Sequence, residues 1–522
     1  MTDLLRTSRI PRLAALPAIV WLLGFVVLPI MVMITRFVGI NDVERVLSRT
    51  ATWRVVWFST WQAALSVICT FVVAAPVTWM IGRYEFRGRR LLRAVTTIGF
   101  LLPSVVVGAG FIALLPTSIH NSPIAIVLAH AYFNIAVVVR VVGARLELVD
   151  RRLIDAARTL GAGVGRSFRD VVWPLIRSAV ASAAGVVFLY CFTSFAIIRI
   201  LGGPTRNTIE SDIALRAFGI GDVAAATVLG GLQAVMIVVM FVMFRHLGGR
   251  DIPQSQTGAL PIVTRQVLPR LVIVAFGTVL FVVAPLVSLA WRSFHVGDVV
   301  SLSPWMSIFD TSLRESIVAS LRTATLASVI GVALAATVAM SIIRLQRVGR
   351  LLDVFSFLPL AVSPVMLGLG LVVTFDARWY DWRGEWWFVS IVHTLVALPL
   401  VVRVLVPAWH AIPMQLHDAA AVLGAGEFRR LVDIDLRLIR RAVAAGLGLM
   451  LAVSLGEFGA ASILSRSGAE TMPVTIGRLL SRTGDLVRAQ AFALSTLLVL
   501  LCFVALLFVE AVLGRNHDAR RH

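Results

Sequence analysis

The stretch "DAAAVLGAGEFRR", residues 418–430, is small and charged in a chain that is otherwise rich in Leu, Val, Ala and Ile. Nearly the same text, "DAARTLGAGVGRS", occupies residues 155–167, which is 263 positions earlier. The same separation holds from position 130 to position 222 without a gap, and it pairs the following residues: His130 with His393, Arg140 with Arg403, Gly161 with Gly424, Phe195 with Phe458, Thr208 with Thr471, and Gly221 and Asp222 with Gly484 and Asp485. We infer that the chain contains two homologous halves.

The composition is that of a membrane protein. The 522 residues are 58% hydrophobic and 15% charged, against roughly 25% charged in a soluble domain. The mean hydropathy is +0.90. Apolar runs of about 20 residues fit transmembrane helices, whereas short alternating strands of a barrel are not found. The sequence therefore predicts an all-α membrane protein.

Hydropathy predicts twelve spans, six in each half. They lie near 14–35, 55–81, 95–115, 122–142, 179–200, 223–245, 269–290, 316–343, 353–375, 388–409, 441–464 and 487–511. Six is an even number, so both halves enter the membrane in the same direction and form parallel repeats with a transport pathway near their common axis. A Gly-, Pro- and Gln-rich stretch at 248–261 separates the repeats. We expect a first repeat at 1–247, a cytoplasmic linker at 248–266 and a second repeat at 267–522.

The charge pattern predicts the orientation. The net charge is +20, and all 48 basic residues are Arg. The loop "RYEFRGRRLLR" at 83–93 is Arg-rich whereas "PTSIHNS" at 116–122 has no Arg, so the first side is cytoplasmic and both termini lie inside. The loop at 376–387 then lies outside, where its Trp residues anchor the chain at the interface. The sequence has no basic domain separate from the spans, so it does not indicate a nucleic-acid partner.

Residue counts exclude a P-loop and a framework of disulfides or spaced metal ligands. A phosphate-binding P-loop needs a Lys that reaches the phosphates, and the sequence contains no Lys. Any ATP that the protein uses must therefore be hydrolysed by another chain. Cys69, Cys191 and Cys502 all lie in apolar runs, where we interpret them as packing residues.

The repeated cytoplasmic segment is predicted to be a helix, a glycine turn and a second helix. In the first copy Asp150 caps the helix, Gly161 ends it in the left-handed conformation, and the second helix runs to Pro174. In the second copy Pro413 begins the helix and Gly424 ends it. The two adjacent Ala residues of each copy leave a helix face without bulky side chains, which another protein surface can approach closely. The arginines near this face would fit an acidic cleft on such a surface: Arg158, Arg166, Arg169, Arg429 and Arg430. The alternative is an amphipathic helix packed on its own bundle or on lipid, which two matched copies make less favourable.

This pattern resembles the EAA signature of ABC importer membrane subunits, in which an acidic residue and two Ala are followed by a Gly and an apolar-x-apolar-Pro ending. The Pro of this ending is Pro174 in the first copy, and Arg437 stands in its place in the second copy. The resemblance implies a type I ABC importer permease fold in the bacterial inner membrane, with no cofactor. It also implies two copies of an ATP-binding cassette subunit, an extracytoplasmic substrate-binding protein, and coupling helices within 150–177 and 413–440. The residues implied in coupling are Asp155, Ala156, Ala157, Gly161, Asp418, Ala419, Ala420 and Gly424.

The fusion of two halves in one chain is similar to thiamine permeases and, next, to ferric-iron permeases. The stretches "CFTSFAIIRILGGP" at 191–204 and "TIESDI" at 208–213 resemble the thiamine permease pattern, and "SLGEFGAASIL" at 454–464 is shared more widely. This resemblance implies that the cargo is thiamine or a related small cation. Ferric iron or another small solute is the alternative.

The candidate pathway residues are Ser194 and Phe195 in the first half and Glu457 and Phe458 in the second. An ionisable group within a span is functional by default, and aromatic faces attract cations. Alternatively, Glu457 pairs with an Arg or caps a broken helix.

The two matched His residues at 130 and 393 are interpreted as packing or hydrogen-bonding residues, and we expect no metal site. An ion-gradient-driven secondary transporter is the hypothesis from another class. An intramembrane hydrolase is disfavoured, since its motifs are missing.

Overall fold

The computed structural model describes residues 9–203, 206–248, 260–377, 380–382, 385–466 and 470–514. Most of the linker, including Arg250, and the tail with Arg515 and Arg521 lie outside these residues. The helices of the first half are α1 Arg9–Leu22, α2 Leu28–Phe37, α3 Ile40–Leu47, α4 Thr50–Arg83, α5 Arg89–Leu101, α6 Ser104–Leu114, α7 Pro123–Glu147, α8 Arg151–Thr159, α9 Val164–Ser167, α10 Trp173–Phe192, α11 Ala196–Leu201, α12 Ile209–Ala214 and α13 Val223–Gly248.

The second half follows a similar order of long helices. Its helices are α14 Leu268–Arg292, α15 Ser303–Met306, α16 Thr311–Arg344, α17 Gln346–Ser356, α18 Leu358–Ala361, α19 Pro364–Phe375, α20 Phe388–His410, α21 Met414–Val422, α22 Glu427–Arg430, α23 Arg437–Gly456, α24 Ala461–Leu464, α25 Met472–Leu480 and α26 Asp485–Gly514. Short π-helical segments lie at Leu23–Val27, Phe168–Val172, Leu215–Ile220 and Leu431–Leu436, and a 3-10 turn lies at Ser307–Phe309. Two small hairpins pair β1 His295–Val296 with β2 Val299–Val300, and β3 Asp376–Ala377 with β4 Tyr380–Asp381. The prediction of an all-α membrane protein is confirmed.

Ten of the twelve predicted spans are long apolar helices within the described residues. The third and ninth are broken. In the third, α5 and α6 meet at an angle of 102°. The break lies at Leu102, whose ψ of 144° is extended because Pro103 follows. In the ninth, the backbone is extended at Val362 and α19 begins at Pro364. Hydropathy detected the apolar runs but not the two backbone breaks.

The fifth and eleventh spans differ from the prediction at both ends. They run from Val164 to Phe192 and from Glu427 to Gly456, and the helices α11 and α24 that follow are separate. The predicted end of a helix at Pro174 is wrong. The helix passes through this proline after a π-helical turn in which the backbone N–H of Trp173 bonds the carbonyl of Phe168. The second copy forms a similar turn before Arg437, so the proline does not cause it.

The two halves interlock through their first helices. Ala15, Ala18 and Leu22 of α1 are buried in the core of the second half, and Val282 of α14 is buried in a cluster of first-half residues. The close contacts are reciprocal. A Cβ added at Gly110 of α6 would lie 3.3 Å from Pro285 of α14, and one added at Gly370 of α19 would lie 3.0 Å from Pro29 of α2. Each first span therefore packs against the broken span of the other half.

Helices α4 and α16 are longer than a bilayer core requires. Each has 34 residues, which corresponds to about 51 Å against the ~30 Å of hydrocarbon. Their last residues, Arg83 and Arg344, lie at the base of the two repeated segments.

Candidate coupling surface and interface between the halves

The first repeated segment is a short capped helix with a glycine turn. Asp150 caps α8, since its Oδ1 accepts a hydrogen bond from the Arg152 N–H at 2.9 Å. At the other end Gly161 has a φ of 85°. The N–H of Gly161 bonds the Arg158 carbonyl at 2.9 Å and the next N–H bonds Ala157 at 3.0 Å. This is a Schellman turn, and its left-handed position favours glycine.

The second segment repeats this geometry. Helix α21 begins immediately after Pro413, and Gly424 has a φ of 79°. The N–H of Gly424 bonds the Ala421 carbonyl at 3.0 Å, and the following N–H bonds Ala420 at 2.9 Å. The two turns therefore have the same geometry at equivalent positions of the two halves.

Both segments present an uncovered apolar tip. Leu160 is 88% exposed and Leu423 is 86% exposed, although both are large apolar side chains. A Cβ added at either turn glycine would meet nothing within 4 Å. Among the described residues, no side chain of the protein's own bundle covers these tips. Such exposure is typical of an interaction site.

The predicted motif residues lie around these tips. Asp155 is exposed and lies 3.5 Å from the Nε of Arg151, while Ala156 and Ala419 are exposed. Ala157 and Ala420 are half-buried, and Asp418 is exposed. One alanine of each pair therefore faces outward.

The bases of the two segments differ in chemistry. In the second half, Asp435 has a fully buried side chain that pairs with Arg344 at the end of α16. His417 of α21 places its Nε2 3.0 Å from Asp435 Oδ1. Burial lowers the pKa of His417, and the carboxylate of Asp435 opposes this effect. These three side chains therefore connect the end of α16, helix α21 and the π-helical segment before α23.

The first half has apolar side chains at two of these three positions. Subtracting 263 from 417 and 435 gives Ile154 and Val172, both buried in one hydrophobic cluster, whereas Arg344 corresponds to Arg83, because the equally long helices α16 and α4 both end in an arginine. Sequence reasoning missed this difference, although the alignment of the halves contains it. We call these two sets the ionic base and the apolar base.

Phe195 and Phe458 meet at the interface of the two halves. Their rings stack with centroids 5.5 Å apart and an interplanar angle of 26°. They are equivalent residues of the repeat, and a contact between equivalent residues is expected on a two-fold axis. Ser194 is half-buried beside Phe195.

Glu457 uses both of its carboxylate oxygens within its own half. Oε1 accepts from the Ala460 N–H and Oε2 from the Ala461 N–H, both at 2.9 Å. The Nε2 of His393 lies 3.4 Å from Oε2, and its Nδ1 lies 2.6 Å from Ser454 Oγ. Glu457 therefore caps the broken helix, as the alternative stated, and its partner is His393 rather than an Arg. The equivalent His130 bonds Ser66 at 3.1 Å.

A second buried carboxylate lies in the "TIESDI" stretch. Glu210 of α12 receives a hydrogen bond from Gln233 Nε2 at 2.8 Å. Its other oxygen, Oε1, has no hydrogen-bond partner among the described residues. Glu210 is therefore a buried carboxylate that lies beside Ser363 and Val365 of the other half. Its burial and partners were not foreseen from the sequence.

No group of three His, Cys, Asp or Glu side chains with the geometry of a metal site occurs among the described residues.

Comparison with known proteins gives one family and several relatives. The model of the family "Binding-protein-dependent transport system inner membrane component" matches twice, at residues 74–250 and 327–517. A thiamine transport system permease protein ThiP of Brucella abortus (strain 2308) is 27% identical over 502 residues, covering 90% of this chain and 89% of the relative. The ThiP protein of Escherichia coli (strain K12) is 27% identical over 486 residues, covering 89% of this chain and 90% of the relative. A probable ABC transporter permease protein y4fN of Sinorhizobium fredii (strain NBRC 101917 / NGR234) is 23% identical over 506 residues, covering 90% of this chain and 87% of the relative.

Proposed function

The chain belongs to the family of inner membrane components of binding-protein-dependent transport systems, and from this premise we propose that it is the thiamine permease of an ATP-driven importer. The predicted family membership is confirmed, and it favours an importer permease over an ion-gradient-driven transporter. Thiamine is the cargo in the names of the relatives that cover about nine tenths of the chain. The single observation that carries the mechanism is the pair of uncovered tips around Leu160 and Leu423.

Each tip is a docking surface for one ATP-binding subunit. An exposed leucine beside a glycine turn fits an apolar groove, and the arginines at 166 and 429 favour an acidic rim. Two tips imply two copies of the ATP-binding subunit. When ATP draws these subunits together, the tips move together and the halves turn about their interface. Gly161 and Gly424 hold the shape of the tips through their left-handed turns, and Asp155 and Asp418 lie exposed beside them.

The pathway lies at the interface of the halves. Phe195 and Phe458 offer aromatic faces there, and a cation over such a face gains about 0.5–2 kcal/mol. Thiamine carries a positive charge on an aromatic ring, so both attraction and stacking are available to it. Glu457 contributes indirectly, since its carboxylate is held by backbone donors next to Phe458.

The finer topology is part of this proposal. Counting each broken span as one crossing gives twelve, in two parallel repeats at 1–247 and 267–522 joined by the linker at 248–266. The stacking of equivalent residues and the reciprocal glycine–proline contacts support a two-fold relation. Both termini and both tips are then cytoplasmic, and an external binding protein delivers the cargo on the opposite side.

Reconstitution tests the proposal directly. Proteoliposomes containing the chain, its ATP-binding subunit and its binding protein are expected to take up labelled thiamine only when ATP is present. Omission of either partner is the control. Uptake of ferric iron in place of thiamine would overturn the cargo assignment. Thiamine uptake that needs no ATP-binding subunit and collapses with the ion gradient would overturn the importer class.

A further inference from the structure

A cavity of about 440 Å³ lies behind the first tip, on the side that faces the bundle. Its walls are formed by the end of α4, by α8, by the helix that begins at Val164, and by Pro261, which lies in the described part of the linker. Pro261 is fixed there because its carbonyl accepts the Glu85 N–H at 2.9 Å. The cavity is therefore built from four segments of the chain and is distinct from the exposed tip.

The cavity is strongly cationic. Arg83, Arg151 and Arg158 line it, and Asp155 is the one acidic residue among the lining residues. Asp155 is 55% exposed and lies 3.5 Å from Arg151, a weak pairing at the surface. Arg83 is half-buried and donates to the Val149 carbonyl at 3.1 Å, a neutral acceptor. Three guanidinium groups around one space repel one another, and an anion placed between them relieves that repulsion.

One wall of the cavity is aromatic. Trp79 and Phe168 lie 6.0 Å apart between ring centroids, and the Arg83 guanidinium lies 5.9 Å from the Trp79 ring. A ligand with an apolar or aromatic body and an anionic head matches this arrangement.

The repeat shows that two of the three arginines are not required for the coupling fold. At the equivalent positions of the second half, Arg151 is replaced by Met414 and Arg158 by Ala421, whereas Arg83 is matched by Arg344 at the end of α16. The acid, the paired alanines and the turn glycine are kept in both halves. Two of the three cationic groups are therefore additions to the first half alone.

We propose that this cavity binds a phosphate-bearing group. Arginine forks match phosphate oxygens, and basic pockets at the cytoplasmic ends of spans suit anionic head groups. The phosphate has two possible sources, the head group of an anionic lipid or a soluble phosphate compound. In both cases the occupant contacts Ile154 of the apolar base, so occupancy stiffens the first coupling helix while the second has its own ionic base.

Binding by the purified full-length chain tests the proposal without any transport assay. The protein is placed in nanodiscs of phosphatidylcholine, with phosphatidylglycerol as one probe and inorganic pyrophosphate as the other. Retained lipid is measured by native mass spectrometry and pyrophosphate binding by calorimetry. The double variant Arg151→Met with Arg158→Ala carries the residues of the second half at these positions. We expect it to bind the preferred probe about thirty-fold more weakly than the unmodified chain.

Arg90→Gln is the matched control, since Arg90 is exposed near the start of α5 and does not line the cavity. It is expected to bind the probe within two-fold of the unmodified chain, a margin well below the ~30-fold loss. Because Arg151 also pairs with Asp155, Arg158→Ala alone is the second test, with an expected loss of about five-fold. Selective binding of phosphatidylglycerol assigns a lipid and selective binding of pyrophosphate assigns a soluble compound. Failure of the unmodified chain to bind either probe, or equal losses in Arg90→Gln, would overturn the proposal.

Discussion

The ionic base of the second coupling helix makes a sharp prediction about stability. In Asp435→Val, Arg344 keeps its charge beside His417 without the carboxylate that neutralises it. Removing one partner of a buried ion pair costs about 3–5 kcal/mol. Arg344 is 22% exposed and can turn partly toward water, so we expect the low end, about 3 kcal/mol.

The first half supplies the compensating variant. Changing Arg344→Ile, His417→Ile and Asp435→Val together removes the ionic base, and the last two changes install the apolar side chains that the chain already uses at Ile154 and Val172. Replacing a buried ion pair by packed apolar groups is often neutral or stabilising, so the triple variant should unfold within about 1 kcal/mol of the unmodified chain.

Unfolding of the purified chain by a denaturing detergent, followed by circular dichroism, measures both variants. Asp433→Val is the matched control, because Asp433 is 51% exposed and only 3.4 Å from an exposed arginine. Its loss should cost less than about 1 kcal/mol. A single variant as stable as the unmodified chain, or a triple variant no better than the single one, would refute the reasoning.

Three further predictions follow from the same contacts. Gly424→Ala should lower the free energy of unfolding by about 1–2 kcal/mol and reduce coupled uptake, because the φ of Gly424 is 79°. Gly426→Ala should be tolerated, because Gly426 has a φ of −64° and equally open space around it. Equal effects of the two substitutions in thermal unfolding and uptake would contradict this prediction. Phe458→Leu should raise the thiamine KM several-fold while leaving ATP hydrolysis by the complex intact, and an unchanged KM would remove the aromatic pair from the pathway. Burial lowers the pKa of His417, so folding loses stability as the pH falls below about 6.5, where the unfolded imidazole gains a proton. His417→Gln should therefore flatten the stability profile between about pH 6.5 and 5, and a profile identical to that of the unmodified chain would argue against a buried neutral imidazole.

Much of this architecture is visible in the sequence. Apolar runs located ten continuous spans, and the separation of 263 residues found the two coupling segments and paired Phe195 with Phe458 before any contact was known. These successes share a cause, since helix length and repeat register are local properties of the chain.

The failures have a different cause. The breaks at Pro103 and Pro364 depend on backbone geometry within apolar runs, which hydropathy does not register. Glu457 was identified as important, but whether its oxygens face a cargo or a helix end depends on side-chain placement. Glu210 and Asp435 gain their partners Gln233 and Arg344 from other helices, which no local pattern encodes.

The difference between the two coupling bases suggests unequal roles for the halves. The apolar base is held by packing alone, whereas the ionic base depends on directed contacts among three elements. A buried ion pair is weak evidence for stability, and we infer that this one serves to orient the second coupling helix. On this account the second coupling helix is the more rigidly oriented of the two when the cationic cavity is empty.

The central claim is that both tips dock onto a separate ATP-binding subunit. Cross-linking measures this directly, with Leu160→Cys and Leu423→Cys as separate variants in the assembled complex. The chain's own thiols at Cys191 and Cys502 are buried and Cys69 is half-buried, so background reaction should be low. The account predicts that each variant forms a cross-link to an ATP-binding subunit and that ATP changes its yield. A complex that takes up thiamine with ATP while neither position cross-links would contradict it.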